Sequence, residues 1–189
     1  MKDCLLYKIL RPIITFVFRV FLTPKIIGTE NIPKSGRVIL AGNHTSIFDA
    51  PLLISCTKRN VHFLAKKELW SGPKKIIFGN LGLIPVDRKA RDGNALITAE
   101  RYLKKEKLIG IFPEGTTEKE GHMLKFKKGA VKMAVDTNSP IVPFVITGKY
   151  KLFSRSLTIK FLEPIKCSEN IKEETERLMN IIKEERGEK

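Results

Sequence analysis

Only three cysteines occur in the 189 residues, at positions 4, 56 and 167, with no Cys-x-x-Cys pair among them. An odd total so widely spread excludes a disulfide framework or a zinc site and fits a reducing compartment with structural thiols. Aromatic residues make up 8% of the chain, without the interleaving of rings and cations on which single-stranded nucleic acid stacks. There is no Gly-x-Ser-x-Gly elbow, EF-hand loop, Walker loop or dinucleotide fingerprint, so nucleoside-phosphate, dinucleotide and calcium-loop functions lose their usual carriers. His62 and His122 have no metal-ligand partner at useful spacing, and no metal is expected. No apolar run reaches the ~20 residues of a membrane-spanning helix. No small-residue cleavage site follows Phe21-Leu22-Thr23-Pro24, so the start of the chain does not read as a secretory signal. Repeats, low-complexity tracts and dividing linkers are missing too, which leaves one main domain.

Positive charge is what the chain has in excess. Thirty-five Lys and Arg against 20 Asp and Glu give a net charge of +15. Such a balance favours a polyanionic partner, whether nucleic acid, an anionic lipid surface or a phosphorylated substrate. The segment Leu5–Leu22, LLYKILRPIITFVFRVFL, is apolar but interrupted by Lys8, Arg11 and Arg19. At about 100° per residue these cations and Thr15 fall in one narrow stripe, and Leu, Ile, Val and Phe fill the remaining circumference. That pattern predicts a helix lying in the headgroup region, residues 1–26 forming a membrane-associating segment ahead of a domain spanning 27–189. Two alternatives are a helix packed on the protein's own core and a true span. Pro12 predicts a kink if the helix runs through it.

From residue 37 onward, short β-branched runs alternate with helical patterns. Strands are predicted at 37–42, 61–65, 83–86, 108–112, 141–146 and 157–161, and helices near 48–57, 73–80, 92–106, 126–137 and 169–186, with Asp92 as an N-cap. The alternation predicts an α/β domain with a mainly parallel central sheet flanked by helices. In such sheets ligands sit beyond the carboxyl ends of the strands. The first, third and fourth predicted strands run out into Asn43-His44, Asp87-Arg88 and Pro113-Glu114-Gly115-Thr116. Three polar clusters distant in sequence should therefore share one edge.

His44 and Asp49 straddle a strand-to-helix turn, where the carboxylate can bind one ring nitrogen and leave the other free to take a proton. Alone, the pair is weak evidence and reads more readily as a surface histidine and a capping aspartate. His44-x4-Asp49 is followed by Phe112-Pro113-Glu114-Gly115-Thr116, with Gly82-Leu83-Ile84-Pro85-Val86-Asp87-Arg88 between them and Pro140-Ile141-Val142-Pro143 after. These blocks, with Phe63-Leu64-Ala65-Lys66-Lys67-Glu68-Leu69 and Phe126-Lys127-Lys128-Gly129-Ala130, resemble the glycerolipid acyltransferases, specifically the lysophosphatidic acid acyltransferase group. The likeness covers roughly residues 27–147, in matching order and spacing.

The resemblance implies an O-acyltransferase of phospholipid biosynthesis. It would move a fatty acyl group from acyl-CoA or acyl-carrier protein, used as co-substrate without further cofactor, onto the hydroxyl of lysophosphatidic acid. Its place is the cytoplasmic face of a membrane, with an anionic lipid surface and no nucleic acid as partner. His44 would be the general base and Asp49 its orienting carboxylate. Arg88 would meet the substrate phosphate, Glu114 would bind glycerol hydroxyls or shape the turn, and Gly115, Thr116, Lys66 and Lys128 complete the substrate-binding set. Backbone N–H groups near Gly115 or after His44 are candidate oxyanion donors, and Ser46 is expected in a turn or cap. One position departs from the family: an arginine usually follows FPEGT, and this chain has Thr117. Its work would fall to Arg88, Lys119 or the lysines at 125, 127 and 128. Other readings are transfer to another lysophospholipid or to glycerol 3-phosphate, and a non-catalytic basic module that binds membrane or nucleic acid.

Overall fold

The computed structural model describes residues 5–70, 81–87, 93–118 and 121–188. Seven strands form one sheet: β1 (Lys25–Ile27), β2 (Val38–Gly42), β3 (Val61–Lys66), β4 (Ile84–Val86), β5 (Leu108–Ile111), β6 (Ile141–Thr147) and β7 (Thr158–Phe161). Their order is β1-β7-β6-β2-β5-β3-β4. Every neighbouring pair is parallel except β6 with β7. The expected α/β architecture is therefore present, with one reversal near an edge. β1 was not expected; three residues are too short to show an alternating pattern.

Successive side chains of β2 point to opposite faces, and both faces are buried. Ile39 and Ala41 join one core with Ala99, Leu103, Val131 and Leu178. Val38 and Leu40 join the other with Phe18, Leu52, Leu53 and Phe144. The first core lies beneath helices α3 (Asn94–Lys104), α4 (Gly129–Thr137) and α5 (Ile171–Arg186). The second lies beneath α1 (Leu5–Val17) and α2 (Asp49–Cys56), which pack on each other. Asn170 caps α5 by accepting the N–H of Glu173. The helix expected over 73–80 and the capping role of Asp92 lie outside the described residues. The position before α3 is Gly93, in the left-handed region.

α1 runs through Pro12 and continues as a wider π-helical turn, Phe18–Leu22. Its cationic stripe is not wholly turned to solvent. Arg11 donates from Nε to the Thr57 carbonyl at the end of α2 (2.7 Å), and Thr15 donates to the Arg11 carbonyl. Tyr7 is buried, donating to the Arg59 carbonyl and accepting from the Val61 N–H. One face of this segment thus joins the fold through Tyr7, Ile14, Phe18 and Leu22. The other leaves Ile9, Ile13, Phe16, Val17 and Val20 exposed. Among the described residues, no helix is long and apolar enough to cross a membrane.

Candidate active site

The strand order decides the site. β2 lies between β5 and β6, with Ala41 opposite Ile111 and Gly42 opposite Phe144. Residues leaving β2 therefore meet the β5 exit on one side and the β6 exit on the other. Gly42 is required here, because a Cβ at this position would lie 2.3 Å from the Phe144 carbonyl oxygen. Asn43 then extends the pairing with its side chain: its amide donates to the Ile146 carbonyl and accepts from the Ile146 N–H, each at 2.8 Å. The next residue is His44, clear of the ladder.

Nδ1 of His44 lies 2.8 Å from Oδ2 of Asp49, the first residue of α2. A carboxylate only accepts, so Nδ1 carries the proton and Nε2 is left as the basic nitrogen. Asp49 is 0% exposed, and a buried carboxylate needs hydrogen-bond donors to offset its lost hydration. It has four besides His44: the N–H groups of Thr45 (2.6 Å) and Ser46 (2.9 Å), the Thr45 hydroxyl (3.1 Å) and the Tyr150 hydroxyl (2.5 Å). The turn between His and Asp thus wraps the carboxylate it carries. Ser46 is a turn residue, its carbonyl accepting the Asp49 N–H and its Oγ the Phe48 N–H.

The imidazole stacks on Phe112, ring centroids 4.1 Å apart and planes inclined by 15°. Behind it, Glu114 accepts the His44 N–H at 2.7 Å and the Leu124 N–H at 2.8 Å. Glu114 is 3% exposed, and burial raises its carboxyl above the usual range despite both amides. Gly115 follows at φ +74°, a conformation that favours glycine, and a Cβ there would lie 2.6 Å from Nζ of Lys127.

A cavity of about 310 Å³ opens in front of the imidazole, walled by Leu64, Lys66, Val86, Leu96, Pro113, Gly115 and Lys127 among others. His44, Lys66 and Gly115 thus line one space, with Asp49 and Glu114 directly behind. Thr116 is exposed beyond the turn. Lys128 lines a separate groove with Phe126 and Lys172, and Lys127 holds the cavity position instead. Arg88 and Lys119 lie outside the described residues. The expected oxyanion donors are already engaged: the Gly115 N–H bonds to the Phe112 carbonyl (2.9 Å), and those of Thr45 and Ser46 bond to Asp49. Tyr150 was not foreseen, because nothing in its local sequence ties it to residue 49. Burial pushes the Cys56 thiol up to about 12 and the Cys167 thiol up to about 11, which leaves both inert. His62 is a buried strand residue bonded to the Gly82 carbonyl at 2.8 Å.

The family model described as Acyltransferase matches residues 23–147. The chain belongs to the acyltransferase family. Among its relatives, a 1-acyl-sn-glycerol-3-phosphate acyltransferase of Borreliella burgdorferi is 34% identical over 133 residues, covering 69% of this chain and 53% of that protein. One from Cocos nucifera is 30% identical over 161 residues, 77% of this chain and 51% of that one. This acyltransferase-family chain spans about half the length of the curated relatives it matches. The crystal structure of the 1-acyl-sn-glycerophosphate (LPA) acyltransferase PlsC from Thermotoga maritima superposes with a TM-score of 0.76 at 27% identity, covering 95% of this chain and 76% of that one.

Proposed function

We propose that this acyltransferase-family protein moves a fatty acyl group from a thioester donor, acyl-CoA or acyl-carrier protein, to the free hydroxyl of lysophosphatidic acid, forming phosphatidic acid. The observation that carries this reading is the His44–Asp49 contact of 2.8 Å, with the imidazole opening onto a cavity that has two lysines in its wall. Nε2 takes the proton of the attacking hydroxyl, whose oxygen adds to the thioester carbonyl. The tetrahedral adduct expels the thiolate, which receives that proton from the imidazolium, so the base is regenerated and no acyl-enzyme forms. Asp49 holds the ring and stabilises its charged form without accepting the proton. A positioned base of this kind contributes roughly 10²–10⁴ in rate.

With the nearby amides engaged, the positive charge at the cavity comes from Lys66 and Lys127, joined in this reading by Arg88 at the substrate phosphate. Glu114 takes the turn-shaping role, because both its oxygens hold backbone amides. The acceptor is a lipid, and the site has an apolar border through which it would arrive. Ile47 is 77% exposed and Phe48 is exposed beside His44, while Leu152 and Phe153 (72%) project from the loop after β6. Phe153 packs on Phe21 with ring centroids 5.7 Å apart, which joins that loop to the π-helical turn that follows α1. In this reading the exposed side of Leu5–Leu22 and this border rest on an anionic membrane at its cytoplasmic face. Burying such side chains would favour docking by about 1.5–3 kcal/mol each when complete.

The test is an acceptor-by-donor panel on anionic liposomes with the wild type and His44→Ala. Lysophosphatidic acid should be the best acceptor, ahead of other lysophospholipids and glycerol 3-phosphate. His44→Ala should lose about 10²–10⁴ in turnover at unchanged melting temperature. Near-normal turnover in the variant would remove the base, and preference for another acceptor would remove lysophosphatidic acid.

A further inference from the structure

Asp49 has one partner from outside the family blocks. Tyr150 lies three residues beyond Thr147, where both β6 and the matched family segment end. Its hydroxyl donates to Oδ1 of Asp49 at 2.5 Å, across the carboxylate from the oxygen that holds His44. Among the described residues, Oδ2 accepts three N–H groups, whereas Oδ1 accepts this phenol and the Thr45 hydroxyl at 3.1 Å. The ring is itself fixed. It packs on Phe48 at 5.8 Å, and farther along its loop Phe153 donates its N–H to the Phe21 carbonyl while the Ser154 carbonyl accepts from Thr23.

Resting on the acyl-transfer reading above, we propose that Tyr150 is a positioning residue of the reaction, fixing the rotation of the Asp49 carboxylate so that Oδ2 stays on His44. Two physical effects follow. A carboxylate that loses a donor from one oxygen is freer to rotate, and its hold on the imidazole becomes less well directed. It also carries more unshared charge, which favours the imidazolium and so withdraws the base at a given pH. Burial, and then the Asp49 charge, push the phenol far above its ordinary range, so it remains a donor at every working pH. Among the described residues, the other ionisable groups around the pair are Glu114 from the β5 exit, Glu118, Lys66 and Lys127 across the cavity, and Cys56 of α2, whose thiol burial keeps neutral. Glu118 donates its N–H to the His44 carbonyl, and its carboxylate pairs with Arg186.

Tyr150→Phe in the full chain keeps the ring on Phe48 and removes only the donor. Its kcat should fall about tenfold, the loss of roughly one hydrogen bond to a charged group, with both KM values within about twofold. The acidic limb of the kcat profile should move to higher pH, a shift that mere loosening of the fold would not produce. A wild-type kcat and an unmoved limb would overturn the assignment. A readout independent of turnover is the titration of the His44 imidazole followed by NMR: a midpoint at higher pH in Tyr150→Phe supports the role, and an unchanged midpoint refutes it. If the wild type acylates no acceptor, the acyl-transfer reading fails while this titration still judges Tyr150.

Discussion

Glu114 grips the backbone of His44 while Asp49 grips its ring, so the imidazole is held from two elements distant in sequence. The Glu114 carboxyl is raised by burial above its ordinary 4.5. A carboxyl raised in the fold contributes stability that is fully present below the unfolded value and lost as pH rises through the folded value. Glu114→Gln removes this titration. It also leaves one of the two amides without an acceptor, at a cost of about 1–3 kcal/mol. Melting curves from pH 4 to 7 should show the wild type ahead by the widest margin at pH 4, the margin narrowing as pH rises. A constant margin would mean that burial does not disfavour the ionised form.

Asp49→Asn tests the other grip. The asparagine has one acceptor oxygen where the carboxylate receives five donors, and its NH₂ group would face N–H groups or hydroxyls. Either the ring loses its orientation or its wrong tautomer is favoured. Turnover should fall by about 10²–10⁴ while the KM for the phosphorylated acceptor changes little. Stopped-assay kinetics on liposomes would decide it, and a loss confined to KM would count against an orienting role.

These two grips differ in how far they could be read beforehand. Among the described residues from 37 onward, strands and helices were legible because β-branched runs alternate with amphipathic patterns, and parallel pairing then gathers the strand exits. His44 and the FPEGT turn follow from that rule alone. What one dimension hides is the order β6-β2-β5, which puts Tyr150 on one flank of His44 and Glu114 on the other. It also hides hydrogen-bond competition. Gly115, Thr45 and Ser46 offer amides on paper, yet the folded turns engage them. Nor can adjacent lysines be ranked from sequence. At the entry to α4, Lys127 and Lys128 face different spaces.

That divergence gives a paired experiment. Lys127→Gln removes a cation from the wall of the His44 cavity, next to Gly115. The apparent KM for lysophosphatidic acid should rise about tenfold, as for loss of one charge-assisted contact. Lys128→Gln, in the other groove, should leave it within about twofold. Equal effects from the two would assign the contribution to overall charge rather than to the cavity.

The exposed face of α1 carries the last prediction. Ile13 and Phe16 (61% exposed) lie on the side of the helix opposite Tyr7 and Phe18, which are buried. Replacing both with glutamate leaves the packed face untouched, so the melting temperature should stay within a few degrees. It should nonetheless remove two apolar anchors and place negative charge where anionic headgroups approach. Cosedimentation with phosphatidylglycerol-containing vesicles should therefore weaken by at least about tenfold for Ile13→Glu/Phe16→Glu. Added salt should weaken the wild type only partly, because apolar burial is not screened. Acylation of a lipid acceptor in vesicles should fall with binding, while acylation of a short-chain soluble acceptor should be spared, since His44 and Asp49 are unaltered. Undiminished vesicle binding in the double variant would move the docking surface elsewhere.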